Sequence, residues 1–98
     1  MKHIDPNISA LVRIDSATTV SDIHDQLARQ LEFPDFYKQT PAMLNDSLRA
    51  INKTARITFE LADELGEATG PAYRLITIVA RVAFENPNLV VTITHAGR

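Results

Sequence analysis

The chain contains no cysteine, only three glycines, no long apolar run and almost no net charge, and each shortage removes a class of protein. Without cysteine there are no disulfides, no thiol nucleophile and no thiolate metal site. Three glycines and five prolines are too few for a low-complexity linker. No window approaches the ~18 consecutive apolar residues of a membrane span. The start MKHIDPNISA has a basic residue but lacks the apolar stretch of a secretory leader. Neither a signal peptide nor a membrane span is expected, and a cytoplasmic location is. A net charge of -2 with pI near 5.8 lacks the basic footprint of a nucleic-acid binder. Direct contact with nucleic acid is therefore not expected, and a partner drawn by charge would be basic.

What is present is the composition of an ordinary globular domain, 45% apolar and 22% charged over 98 residues. Residues 1–98 read as a single domain with one modest core. After the turn signal Asp5-Pro6-Asn7, ISALVRID is a short run rich in strand formers. TVSDIHDQLARQL then changes to helical period, with Val20, Ile23, Leu27 and Leu31 on one stripe and Thr19 or Ser21 as N-cap. This helix should stop before Pro34. Thr40 and Pro41 form a second start signal, a hydroxyl cap followed by proline at the first helical position. At 100° per residue, Leu44, Leu48 and Ile51 share one face, with Ala42, Asp46, Arg49 and Lys53 opposite.

ARITFELA, residues 55 to 62, alternates apolar and polar residues like a strand with one wet face. DELGEATGP is a polar connection of no assigned structure. From Pro71 the period is helical again, with Tyr73, Ile76, Ala80, Ala83 and Phe84 expected to line one side, and ENPN ends it. LVVTIT closes the chain with the composition of a well-buried strand. Strands alternating with helices predict an α/β fold, a small parallel sheet covered by helices, because parallel neighbours need crossover connections.

Little here points to catalysis. His3, His24 and His95 are isolated, so no metal-ligand set and no cofactor site is read. His24 is expected on the helix surface beside Asp22 and Asp25. Neither a nucleophile elbow nor a phosphate loop occurs. Glu60, Asp63, Glu64 and Glu67 are the densest acids, and without calcium-loop spacing they read as a solvated loop face. The chain is not expected to be an enzyme.

LEFPDFYKQTPAMLND, residues 31–46, is the most informative segment. A loop that only reverses the chain needs glycine, asparagine or aspartate, whereas this one carries Phe36 and Tyr37 beside a helix that turns Asp46 outward. The rings suggest a contact surface. The alternative is that Phe36 plugs the loop onto the core and Tyr37 lies half-buried nearby.

Ser21-Asp22, Ile23-His24, the Leu27 and Leu31 spacing, Pro34-Asp35, Phe36-Tyr37, then Leu44, Asp46 and Leu48, together with the order of elements, resemble the barstar family of small intracellular ribonuclease inhibitors. The resemblance implies a barstar-like fold, a three-stranded parallel sheet with helices against it. It further implies that the second helix and the preceding loop plug the active site of a nuclease, an antitoxin or immunity role. Asp46 coincides with the family's central inhibitory aspartate and Phe36 and Tyr37 with its loop tyrosines. The chain departs from the family at Ala42, where a second aspartate is usual, at Lys38 and Gln39 in place of Gly and Glu, and at Asn45 in place of Trp. Arg49 adds a positive charge on the same face.

The expected partner-binding set is thus Phe36, Tyr37, Lys38, Ala42, Asn45, Asp46 and Arg49. The expected partner is a protein, a small basic nuclease, bound by a monomer. The alternative is a relative in fold alone, serving as a protein-binding or self-association module without ribonuclease inhibition.

Overall fold

The computed structural model describes residues 8–62 and 70–95. His3, the turn at residues 5–7, and Asp63, Glu64 and Glu67 of the polar connection lie outside the described residues. The elements run β1 (Ile8–Ile14), α1 (Val20–Gln30), α2 (Pro41–Arg49), β2 (Ala55–Leu61), α3 (Gly70–Glu85) and β3 (Leu89–His95), the order the sequence predicts. The three strands form one parallel sheet in the order β1-β2-β3.

Alternation along the strands decides which face the helices cover. Ala10, Val12 and Ile14 of β1 are buried, as are Ala55, Ile57, Phe59 and Leu61 of β2, while Ser9, Leu11, Arg13 and Arg56 are exposed. One sheet face carries the core and the other meets solvent, where Arg13 and Glu60, neighbours in register, form an ion pair at 3.0 Å. The helices complete the core with Ile23, Leu27 and Leu31, with Leu44 and Leu48, and with Leu75, Ile76, Val79 and Val82.

The caps explain where the helices begin. Thr19 closes a capping box: its side chain accepts from the Asp22 N–H, and the Asp22 carboxylate accepts from the Thr19 N–H, satisfying two donors that a helix start leaves unpaired. Thr40 caps α2 in the same sense at the Met43 N–H, and Pro41 occupies the first turn without losing a bond. α1 ends without a glycine. Glu32 takes the left-handed conformation at φ 60°, which lets the Phe33 N–H reach the Ala28 carbonyl at 2.9 Å. A side chain in that conformation is strained by roughly 1–2 kcal/mol. Glu32→Gly should therefore raise stability by about 0.5–1 kcal/mol after the extra chain entropy of glycine is deducted. The check is a higher urea midpoint at unchanged slope; a lower midpoint would mean that the Glu32 side chain itself supports the loop.

Two expectations about burial are corrected. In α3, Tyr73, Ala80 and Phe84 face solvent, and the buried stripe is Leu75, Ile76, Val79 and Val82. Arg74, Thr77, Arg81 and Glu85 mark one polar side of this helix, the buried stripe lies away from them, and Tyr73, Ala80 and Phe84 sit at the border between the two. In β3 only Leu89 is buried; Val90 and Ile93 are nearly half exposed. Val90 is level with the exposed Arg56 and faces the wet side, whereas Ile93 is level with the buried Phe59 but belongs to an edge strand, with no further strand beside it among the described residues.

The two edges differ. At β1, Gln30 receives the Leu11 N–H on its Oε1 and donates its Nε2 to the Leu11 carbonyl, both at 2.9 Å, and Gln26 Oε1 accepts from the Arg13 N–H at 3.3 Å. These side-chain amides from α1 stand in for a fourth strand. At the start of β3, Asn86 Nδ2 donates to the Leu48 and Ile51 carbonyls and Asn88 Nδ2 to the Ile51 carbonyl, tying the turn after α3 to the end of α2.

Candidate functional site

The loop between α1 and α2 is held from below by rings and from the side by amides. Phe33 and Tyr37 pack with their rings tilted by 45° at 4.9 Å between centres, and Tyr37 lies 5.9 Å from the ring of His24. The Tyr37 hydroxyl and His24 Nδ1 share a hydrogen bond of 2.6 Å whose direction follows the imidazole tautomer. Beside them, Ser21 Oγ donates to Gln39 Oε1 at 2.8 Å and Gln39 Nε2 donates to Asp25 Oδ1 at 2.6 Å. Two anchor points on α1 thus fix the loop that leads into α2.

His24 is only 1% exposed, so its expected place on the helix surface is corrected. The reason is geometric: His24 stands at i+3 and i+7 spacing from Leu27 and Leu31, on the inward side of α1 beside Ile23. Its hydrogen bond to Tyr37 makes burial tolerable. The expected plug also changes identity. Phe36 is 72% exposed, and Phe33, packed against the core, occupies the place proposed for it. Neither Phe33 nor His24 was singled out for this role from the sequence, although the spacing of His24 to the leucines was available as a signal. The Ser21-Gln39-Asp25 bridge had none, because no local period couples positions so far apart.

Burial pushes the Tyr37 phenol up to about 12 and lowers His24 below its usual 6.5, the latter partly opposed by the nearby Asp25 carboxylate. Both groups are neutral at pH 7. Because the folded state holds His24 less readily protonated than the unfolded chain does, its contribution to stability is full above pH 6.5. That contribution is lost as pH falls from there through the lowered folded value. The urea midpoint should decline on acidification from pH 7 across this window, and the decline should be smaller in His24→Gln. A midpoint that rises on acidification in the wild type would contradict the burial.

Next to the loop, α2 presents Ala42, Asp46 and Arg49, all exposed at i, i+4 and i+7, with Asn45 half-buried on the flank. Phe36 and Lys38 are exposed and Tyr37 is half-buried, so the seven residues belong to one loop and the helix it feeds. The Asp46 carboxylate has no ion-pair or hydrogen-bond partner among the described residues. Arg49 is turned away from it and pairs with Glu85 of α3. Thr40 caps the start of α2, and Leu44 and Leu48, both fully buried, seat its inner face. The result is a fixed ridge with a free carboxylate at its middle and an exposed ring beside its start.

On the other side of the loop lies an open cleft of about 210 Å³ lined by Leu31, Phe33, Pro34, Ser47 and Ile51, among others. It is smaller than the ~300 Å³ at which small-molecule pockets begin. Among the described residues, no group of three or more His, Asp or Glu side chains is placed to hold a metal ion. No helix among them is long and apolar enough to cross a membrane. No protein-family model matches the chain, and no curated protein matches it.

Proposed function

We propose that this chain is a barstar-like protein inhibitor that acts without catalysis, seating the residue 36–49 surface in the basic active-site cleft of a small nuclease. The observation that carries the reading is Asp46, an exposed carboxylate with no partner among the described residues, on a helix seated by buried leucines. A nuclease cleft is positively charged because it binds phosphate, and a carboxylate presented by a rigid helix can take the phosphate's place. Orientation fixed in the free protein lowers the ordering cost of binding. Phe36 supplies an aromatic anchor next to the charge.

The departures from the family pattern shape the expected partner. With Ala42 in place of an acid and Lys38 on the loop, the surface offers fewer negative charges than a typical family member. The pairing of Arg49 with Glu85 offsets one positive charge of the ridge. Gln39, the residue in place of an acid, is committed to Ser21 and Asp25 and so serves the loop rather than the surface.

The test is inhibition of RNA cleavage. Guanyl-specific ribonucleases titrated with the purified protein should lose activity at a stoichiometric ratio. Unimpaired cleavage across such a panel would remove the inhibitor reading and leave a relative in fold alone.

A further inference from the structure

The geometry points to a second interaction surface, made of the free edge of β3 and the outward stripe of α3, whose occupant is a second copy of this chain related by a twofold axis.

The first observation is the difference between the two sheet edges. Three side-chain hydrogen bonds from Gln26 and Gln30 occupy β1. β3 pairs with β2 on one flank and has no strand on the other among the described residues. Exposed strand edges are ordinarily guarded by charge, proline or a bulge. From Leu89 to Thr94 the strand has no charged residue, no proline and no interruption of its register with β2. Val90 and Ile93 remain 45% and 46% exposed.

The second observation is the stripe on α3. Phe84 is 93% exposed, an unusual position for phenylalanine, and Tyr73 is 48% exposed. Tyr73, Thr77, Ala80 and Phe84 share one exposed stripe of the helix, turned by roughly 100° from Glu85, and Glu85 marks the side that meets α2. The stripe is therefore distinct from the side that meets α2, on a helix that also packs on β3.

Both features are self-complementary under one axis. If β3 pairs antiparallel with its copy about Thr92, Thr92 meets Thr92, Val90 meets Thr94 and Val91 meets Ile93, with no like charges opposed. If α3 packs antiparallel on its copy about the point between Ile78 and Val79, Tyr73 meets Phe84 and Thr77 meets Ala80. Small side chains then fall at the centre, where helices approach closest, and rings at the ends. The two centres coincide along the strand direction. From the end of α3 back to its centre is about 10 Å at 1.5 Å per residue, and from Leu89 to Thr92 is about 10 Å at 3.3 Å per residue. An isologous contact needs this match, because each surface must be its own partner. A six-stranded sheet results, and each copy keeps its 36–49 surface free. The sequence alone favoured a monomer; these two faces favour the dimer.

Sedimentation equilibrium of the full chain at about 50 μM should give twice the 10.9 kDa chain mass. Thr92→Lys and Phe84→Glu, both at exposed positions, should each weaken association at least about tenfold while circular dichroism stays unchanged. The chain lacks cysteine, so Thr92→Cys supplies a single thiol at the proposed axis. Paired antiparallel residues lie about 4.5–5.5 Å apart between Cα atoms, within disulfide reach. Thr92→Cys should crosslink rapidly on mild oxidation, and Ser9→Cys on the guarded strand should not. A monomer at that concentration overturns the proposal, and so does a dimer in which Thr92→Cys crosslinks no faster than Ser9→Cys. Neither readout depends on nuclease inhibition, so failure here leaves the inhibitor reading untouched.

Discussion

Phe59→Ala is expected to cost about 3–5 kcal/mol, the largest loss of stability for a single truncation in this chain. Phe59 is the largest of the fully buried side chains and belongs to the middle strand, between Val12 of β1 and Ile93 of β3 in the same register row. Removing the ring forfeits its transfer free energy and leaves a cavity that neighbours on both strands are too constrained to fill. Domains of this size hold about 5–15 kcal/mol in total, so the variant would have little in reserve. At roughly 4–8 °C per kcal/mol, the melting temperature should fall by about 12 °C or more. Ile93→Ala in the same row, measured at a concentration where the chain is monomeric, is the control: its side chain is nearly half exposed, and its loss should be well under half as large. Comparable losses at the two positions would show that the core extends across β3, against the exposure pattern.

That contrast within one row shows where sequence reading ends. The period-2 alternation of β2 belongs to the strand itself and places Ala55, Ile57, Phe59 and Leu61 inward without further information. β3 has a stronger apolar composition, yet its position at the edge is decided by what lies beside it, and no property of LVVTIT encodes that. α3 fails for a related reason. Its apolar residues cover well over half of the helix circumference, with Arg74, Thr77, Arg81 and Glu85 on the remainder, so the period marks the polar side but leaves open which apolar residues are buried until α2 and the sheet occupy two of its sides. The helix starts were legible because their chemistry is local: Thr19 with Asp22, and Thr40 with Pro41, each complete a cap within four residues.

The candidate site divides along the same line. The outward placement of Ala42, Asp46 and Arg49 follows from 100° per residue, given that Leu44 and Leu48 face in. What holds the preceding loop does not. His24 and Tyr37 are joined across 13 positions, and Gln39 and Asp25 across 14, by contacts that exist only once α1 and the loop are side by side. Phe33, directly after the left-handed turn at Glu32, takes the core place expected of Phe36.

Asp46→Ala separates binding from folding more sharply than any other substitution in the ridge. Against a nuclease that the protein inhibits, the affinity loss should be about 2–5 kcal/mol, roughly 30-fold to several thousandfold in Kd. This range is taken from buried interfacial charge pairs in general, ribonuclease–inhibitor pairs among them. Stability should move little or in the opposite direction. Asp46 is exposed and unpaired among the described residues, alanine has the higher helix propensity, and an acid in the second half of a helix opposes the macrodipole. A change within about 0.5 kcal/mol, towards greater stability, is the expected result. Asp46→Asn keeps shape and removes charge, so it should reproduce most of the loss if neutralising a basic cleft is the mechanism. Arg49→Ala should cost at most about 1 kcal/mol of stability through its exposed pair with Glu85, and it should leave affinity equal or higher by removing a positive charge from the ridge. Titration calorimetry on the three variants decides the matter. An unchanged Kd for Asp46→Ala would take the carboxylate out of the mechanism, and equal losses for Asp46→Ala and Arg49→Ala would show the face to be recognised by shape and not by charge.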